Sequence, residues 1–283
     1  MIQRLLLLAL TTAAAVLPQP ATTKAKRIVS TAPSITETLF ALGLGNEVVG
    51  VSNYCHYPPE ANTRARVGQL LNPDVEAIVA LRPDLVVVEK IPNHLQEQLQ
   101  RLHIRSISVA HNTIEDVLQS DDLIARAAGV SEAGPHLNTE VERSLDQVRA
   151  KTAPLPKLKA VFVVGHSPGK LAGIFVAGKE TYLSELLKIV GAENVFEDAK
   201  GRYPEVSLEE ILSRNPDVIV EFVGDGSEKK TEMLRLWANE SNLRAVRTHH
   251  VFAVPADLFD IPSPRVTEAA RYLAHVLRPE AGL

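Results

Sequence analysis

Gly165-His-Ser-Pro-Gly169 has the G-x-S-x-G spacing that places a serine on a sharp turn after a strand, where its hydroxyl attacks an acyl carbon. Asp225 and His249 follow in the order an α/β-hydrolase triad requires, so an esterase using Ser167 is one reading of the chain. Three features oppose it. Pro168 follows the serine and has no N–H to offer an oxyanion. Gly169 and Gly173 weaken the helix into which such a turn must lead. The motif also opens what reads as a second lobe, whereas a hydrolase needs one large sheet around it. Taken as a loop at the C-terminal end of a strand, the same segment lines a ligand crevice, which makes His166 and Ser167 candidate ligand contacts.

Tyr54-Cys55-His56-Tyr57 is the second concentration of reactive types. An adjacent Cys and His lack the separated pairs that zinc ligation uses, so no resident metal is expected. His249-His250 reads as a polar lead into a strand. No carboxylates are paired for acid–base work, no glycine-rich loop cradles a phosphate, and no G-x-x-x-x-G-K-[ST] P-loop is present. The expectation is a non-catalytic protein with no cofactor of its own.

The 283 residues are 45% apolar and 23% charged with a net charge of -4, an ordinary globular composition. No run of Lys or Arg offers a surface to nucleic acid. Cys55 is the single cysteine, so no intramolecular disulfide forms. Arg4 precedes an uncharged stretch of 13 residues, Leu5 to Leu17. This falls short of the roughly 20 residues a spanning helix needs. It fits a secretory h-region followed by small residues, so residues 1–22 read as a signal peptide and the remainder as a periplasmic protein.

The elements that must hold these residues alternate between short apolar strands and helices. Strands are expected at Arg27 to Ser34, Val48 to Val51, Leu81 to Val88 and Ser106 to Val109, with helices between, which is the pattern of an α/β lobe with a mainly parallel sheet. Ser34 and Glu37 have capping-box spacing for the first helix. From about Ser131 to Lys151, the residues Leu137, Val141, Leu145 and Val148 place one apolar stripe on a long helix, which Pro154 and Pro156 stop. A strand at Ala160 to Val164 restarts the alternation. The second half repeats the first: Glu76-Ala-Ile-Val-Ala-Leu-Arg-Pro-Asp and Glu209-Glu-Ile-Leu-Ser-Arg-Asn-Pro-Asp each lead into a strand. Each Glu stands 48 residues past its counterpart in the lobe's first strand, Ile28 and Val161. The organisation is a lobe at 23–130, a connecting helix at 131–153 and a similar lobe at 154–283.

With these segments in hand, the sequence resembles the periplasmic binding proteins for cobalamin, siderophores and haem, and among them the cobalamin-binding members most. The resemblance is carried by Arg27-Ile-Val-Ser-Thr-Ala-Pro-Ser-Ile-Thr-Glu-Thr38, Val49-Gly-Val-Ser-Asn-Tyr-Cys-His-Tyr-Pro-Pro-Glu60, Val75 to Leu85, Tyr203 to Leu212 and Ser263-Pro-Arg265. It implies two α/β lobes joined by one long helix with a ligand cleft between them, a monomer, and a corrinoid held in that cleft for an ABC importer. Ferric siderophore and haem stay open as ligands. Tyr54 and Tyr203 match positions that pack on the corrin. His56, Tyr57, Asp257 and Phe259 lie in segments expected to reach the same cleft, and His56 is a candidate to approach a ligand metal. Glu76 and Glu209 match the carboxylates that meet arginines of the permease. Leu70 and Ile261 depart from the pattern, standing where the cobalamin relative has a tryptophan and an arginine.

Overall fold

The computed structural model describes residues 23–224 and 227–283. The segment read as a signal peptide and Asp225 lie outside the described residues. The first lobe runs β1 (Ile28–Ser30), α1 (Pro33–Ala41), β2 (Val48–Val51), β3 (Ala65–Arg66), α2 (Val75–Ala80), β4 (Leu85–Glu89), α3 (Leu95–Arg101), β5 (Ser106–Val109) and α4 (Ile114–Ala128). Its sheet has the order β3-β2-β1-β4-β5, and every pairing is parallel. Helices cover both faces, so the strands are apolar on both sides. Along β1 and β4, Ile28, Leu85 and Val87 enter one core while Val29, Val86 and Val88 enter the other.

The long helix α5 (Ala133–Thr152) follows. The second lobe runs β6 (Leu158–Gly165), β7 (Ile174–Val176), α6 (Tyr182–Ile189), β8 (Ala192–Asn194), β9 (Glu205–Val206), α7 (Leu208–Arg214), β10 (Val218–Val223), α8 (Ser227–Ala238), α9 (Arg244–Arg247), β11 (Val251–Pro255), α10 (Ala256–Phe259) and α11 (Val266–Leu277). Its sheet has the order β11-β10-β6-β7-β9, with β8 beside β6. Only β7 runs against its neighbours. The apolar stripe of α5 is buried: Val141, Leu145 and Val148 join the second lobe's core, and Leu137 packs against the cores of both lobes. One helix with both lobes seated on it is a stiff connection, and large hinge closure needs loops that can absorb backbone rotation.

The repeated Pro-Asp has a structural cause. The Asp84 carboxylate accepts the N–H groups of Lys26 and Arg27 at 2.8 and 3.1 Å. In the second lobe the Asp217 carboxylate accepts the N–H of Lys159 at 2.9 Å. Each Asp thus ties the entry of its own strand to the entry of the lobe's first strand, which sets their parallel register.

The capping box expected at Ser34 and Glu37 does not form. Pro33, whose fixed φ suits the first helical position, starts α1 two residues earlier, and Ala32 at the N-cap has no side-chain acceptor to cap with. The Glu37 carboxyl is left free to cross to the other lobe. It is 4% exposed, accepts from Ser263 Oγ–H and lies 3.3 Å from the Arg265 guanidinium. Cys55 is fully buried beside Thr36 and Ser52, and burial raises its thiol pKa.

Candidate functional site

In both sheets the C-terminal strand ends face the junction of the lobes, the usual place for a ligand in open α/β sheets. Two cavities lie there, of about 340 and 350 Å³. The first is lined by Pro33, Ser34, Tyr54, Leu70, Glu89 and Ile261, among others. The second is lined by Asn112, Val164, Tyr182, Tyr203 and Phe222. His111, Asp260 and Pro262 belong to both, so the two cavities form one cleft with a waist.

Tyr54 and Tyr203 come from opposite lobes and are 54% and 42% exposed, so each offers an aromatic face to the cleft. Desolvation, and then the charge of Asp260, push the Tyr203 phenol up to about 12. Asp260 is itself raised by desolvation. The Tyr182 hydroxyl is occupied, donating to the Phe259 carbonyl. Leu70 and Ile261, the departures from the family pattern, both line the first cavity. The charged side chains on the two linings are Glu89 and Asp260; neither cavity is lined by Lys or Arg among the described residues.

Six other expected contacts stand elsewhere. Phe259 is fully buried, packed against Phe162 and Tyr272, because its position on α10 turns it into the second lobe's core. Asp257 on the same short helix is exposed and lines neither cavity; Asp260, three residues on, is the carboxylate that does. His56 is exposed and held by Asn62, whose Oδ1 lies 3.3 Å from its Nδ1. Tyr57 lines a different cavity of about 580 Å³, with the Arg265 guanidinium 3.8 Å from its ring centroid. That larger cavity is floored by Glu37 and Arg265 and lies off the strand ends.

His166 turns away from the cleft. Its Nε2 is 3.0 Å from Glu221 Oε1 and its Nδ1 is 2.8 Å from the Ser167 carbonyl. Both ring nitrogens face acceptors, the arrangement of an imidazolium. The hydrogen bond to Glu221 accordingly raises the ring to about 9. Glu221 also accepts from buried Trp237 Nε1 at 2.7 Å, so the trio is structural. Ser167 lies in the same turn, its N–H given to the Ala172 carbonyl. The esterase triad is not assembled. Val161 on β6 and Val251 on β11 both pair with Ile219. His249 precedes the start of β11, while Ser167 follows the end of β6. Six residues separate Ser167 from the level of Val161, placing the two side chains roughly 20 Å or more apart along the sheet.

Glu76 and Glu209 are exposed at equivalent places, the second residue of α2 and of α7. A carboxylate in a first turn is favoured by the helix dipole in any protein, so their symmetry between the lobes is the distinctive feature. Among the described residues no helix is long and apolar enough to cross a membrane.

Two sheets presenting their strand ends to one cleft across a single long helix define a two-lobed solute-binding protein. Residues 28–258 match the periplasmic binding protein family, and the chain belongs to it. An ABC transporter substrate-binding lipoprotein of Bacillus subtilis, YvrC, is 32% identical over 90% of this chain and 81% of its own length. The vitamin B12-binding protein of Vibrio parahaemolyticus is 30% identical over 86% of each chain. Among solved structures, the periplasmic vitamin B12-binding protein BtuF of Vibrio cholerae superposes with a TM-score of 0.77 at 27% identity, covering 91% of this chain and 98% of its own.

His111 and Asp260 escaped the sequence reading. His111 stands alone among polar residues at the end of β5, with no motif around it. Its available signal was positional: it follows a parallel strand at the end where ligands bind.

Proposed function

We propose that this protein captures a corrinoid outside the cytoplasmic membrane and hands it unchanged, as a monomer, to the permease of an ABC importer. The observation that carries this reading is the lining of the cleft: aromatic faces from both lobes, apolar walls and two carboxylates, with no Lys or Arg among the described residues. A corrin ring presents a broad apolar face rimmed by primary amides, whose N–H groups donate to carboxylates. Haem carries two propionates and many ferric siderophores are anionic. Like charges about 4 Å apart at a protein surface repel by roughly 4 kcal/mol at an effective dielectric of 20, enough to reject such ligands. The vitamin B12-binding relatives support the same ligand class, and the transporter relative supports the importer.

Glu76 and Glu209 are the docking carboxylates in this reading. One per lobe lets the permease sense both lobes, and charged pairs of this kind steer encounter and fix orientation. Residues 1–22 direct export. The scheme is a non-catalytic one, and it is supported by Pro168, which has no N–H to offer an oxyanion, and by the distance between Ser167 and His249 among the described residues.

Isothermal titration calorimetry with cyanocobalamin, hemin and a ferric siderophore tests the ligand class. One-to-one binding of cyanocobalamin at micromolar affinity or tighter, with the anionic chelates at least tenfold weaker, is expected. Preference for hemin or the siderophore would overturn the reading of the cleft while leaving the family assignment intact.

A further inference from the structure

One wall of the cleft carries a carboxylate that the fold holds by one oxygen and leaves open at the other. Glu89 ends β4 and lines the first cavity together with Tyr54 and Leu70. Its Oε2 lies 2.8 Å from His111 Nδ1, and Ser34 Oγ, in the first turn of α1, stands 3.5 Å from the same oxygen. Its Oε1 makes no hydrogen bond among the described residues and is not sealed from solvent. The His111 side chain is 2% exposed, so it supports the carboxylate from within the protein and does not reach the ligand. A carboxylate only accepts, so Nδ1 carries the ring hydrogen. Nε2 is buried without a partner, and a ring with its single hydrogen on Nδ1 buries no unpaired N–H.

This arrangement fixes a direction. An acceptor whose second oxygen is anchored by a buried donor loses little freedom when a ligand binds, and preorganisation of that kind turns a hydrogen bond into specificity. Oε1 takes an N–H donor, and a hydrogen bond to a charged acceptor is worth about ten- to a hundredfold in affinity. A ligand carboxylate brought to the same oxygen gains no bond and meets a like charge. The Glu89 side chain is recessed, at 14% exposed, so the propionamide arms of a corrin reach it ahead of the shorter acetamides.

Resting on the corrinoid reading of the cleft, we propose that Glu89 is a specificity-determining residue that accepts a hydrogen bond from one propionamide arm of the corrin, with His111 and Ser34 as its positioning residues. The protein thereby separates corrinoids that are amidated at that arm from those that carry a carboxylate there. Asp260, the other carboxylate on this cavity, belongs to the opposite lobe and does not take part in the selection at that arm.

The test titrates the purified protein with cyanocobalamin and with its b-, d- and e-monocarboxylic acids, in each of which one propionamide has become a propionate. Calorimetry near neutral pH gives the ratio of each acid's affinity to that of cyanocobalamin. In the wild type one acid is expected to bind about tenfold or more weakly than cyanocobalamin. Glu89→Gln, which offers that propionate an N–H, is expected to bring the same acid to within about threefold, while the ratios for the other two stay unchanged, which also certifies its fold. Asp260→Asn should not rescue that acid. His111→Leu should erode the selectivity at that arm, and His111→Gln, whose amide N–H can donate to Oε2, should keep it. All three acids binding about as tightly as cyanocobalamin, or a penalty that survives in Glu89→Gln, overturns the role of Glu89 and leaves the corrinoid reading standing. Failure of cyanocobalamin itself to bind overturns the corrinoid reading and the proposal with it.

Discussion

Glu37 is expected to make the protein less stable as pH rises through neutrality. Its carboxyl is 4% exposed between the lobes. Burial pushes it from an ordinary 4.5 up to about 7, even though Ser263 and Arg265 pull it down. Between those two values the native state holds a proton that the unfolded chain has released. Stability falls with pH wherever the folded state binds more protons, so the contribution is complete below pH 4.5 and is lost as pH climbs through 7. A displacement of about 2.5 units at 1.36 kcal/mol per unit gives a loss on the order of 3 kcal/mol. Glu37→Gln keeps the shape and an acceptor for Ser263 but does not titrate. Urea unfolding of both proteins from pH 4 to 8 gives the difference in stability at each pH. Wild type minus variant should shrink by about 3 kcal/mol across that range. Asp121, which burial likewise pushes to about 7, is present in both proteins and cancels. A difference that stays flat, or grows with pH, would refute the reasoning. It would mean that the Arg265 ion pair outweighs desolvation and that Glu37 is charged throughout.

The remaining expectations concern separate parts of the molecule. His166, raised to about 9 by Glu221, should stabilise the fold fully below its ordinary 6.5 and lose that contribution as pH rises through 9. Glu221→Ala should abolish this alkaline loss and cost about 3 kcal/mol at pH 6 by urea unfolding, since it leaves His166 and Trp237 Nε1 unpaired. Tyr54→Ala and Tyr203→Ala should each weaken cyanocobalamin about tenfold by calorimetry, through lost aromatic contact. Their effects should add, because the residues sit on different lobes. Glu76→Ala with Glu209→Ala should leave that affinity unchanged and abolish uptake through the cognate importer; loss of binding would sink the docking role. Ser167→Ala should bind as the wild type does, and neither protein should hydrolyse a chromogenic ester.

Legibility followed the range of the forces. Elements governed by nearest neighbours could be read from the chain: β2 and β5 fall where the apolar runs are, and α5 where Leu137, Val141, Leu145 and Val148 set their stripe. The exception is instructive. Ser34 and Glu37 have the right spacing for a capping box, yet Pro33 starts the helix earlier, and two polar residues that looked local found partners elsewhere: Ser34 at Glu89 and His111, Glu37 at Ser263 and Arg265. Residue type misled in the same way at the site. Tyr57, Asp257 and Phe259 sit within a few residues of cleft positions, but side-chain direction changes with every step along a loop or short helix, so proximity in sequence did not carry them into the cavity.

The sequence by itself determined the architecture, because parallel strands buried on both faces, the apolar stripe of α5 and the twice-used Glu-to-Pro-Asp segment are all written in local pattern. It also determined the family, since matching segments recur along nearly all of the chain beyond residue 26. Only the tertiary structure decided which polar groups meet. His166 is consumed by Glu221, Ser167 and His249 lie at opposite ends of one sheet, and His111 is tied to Glu89 at the waist of the cleft. Those outcomes depend on which strand ends the fold brings together across the two lobes. No periodicity along the chain encodes them, because the partners are separated by tens to hundreds of residues and meet only when both sheets have formed.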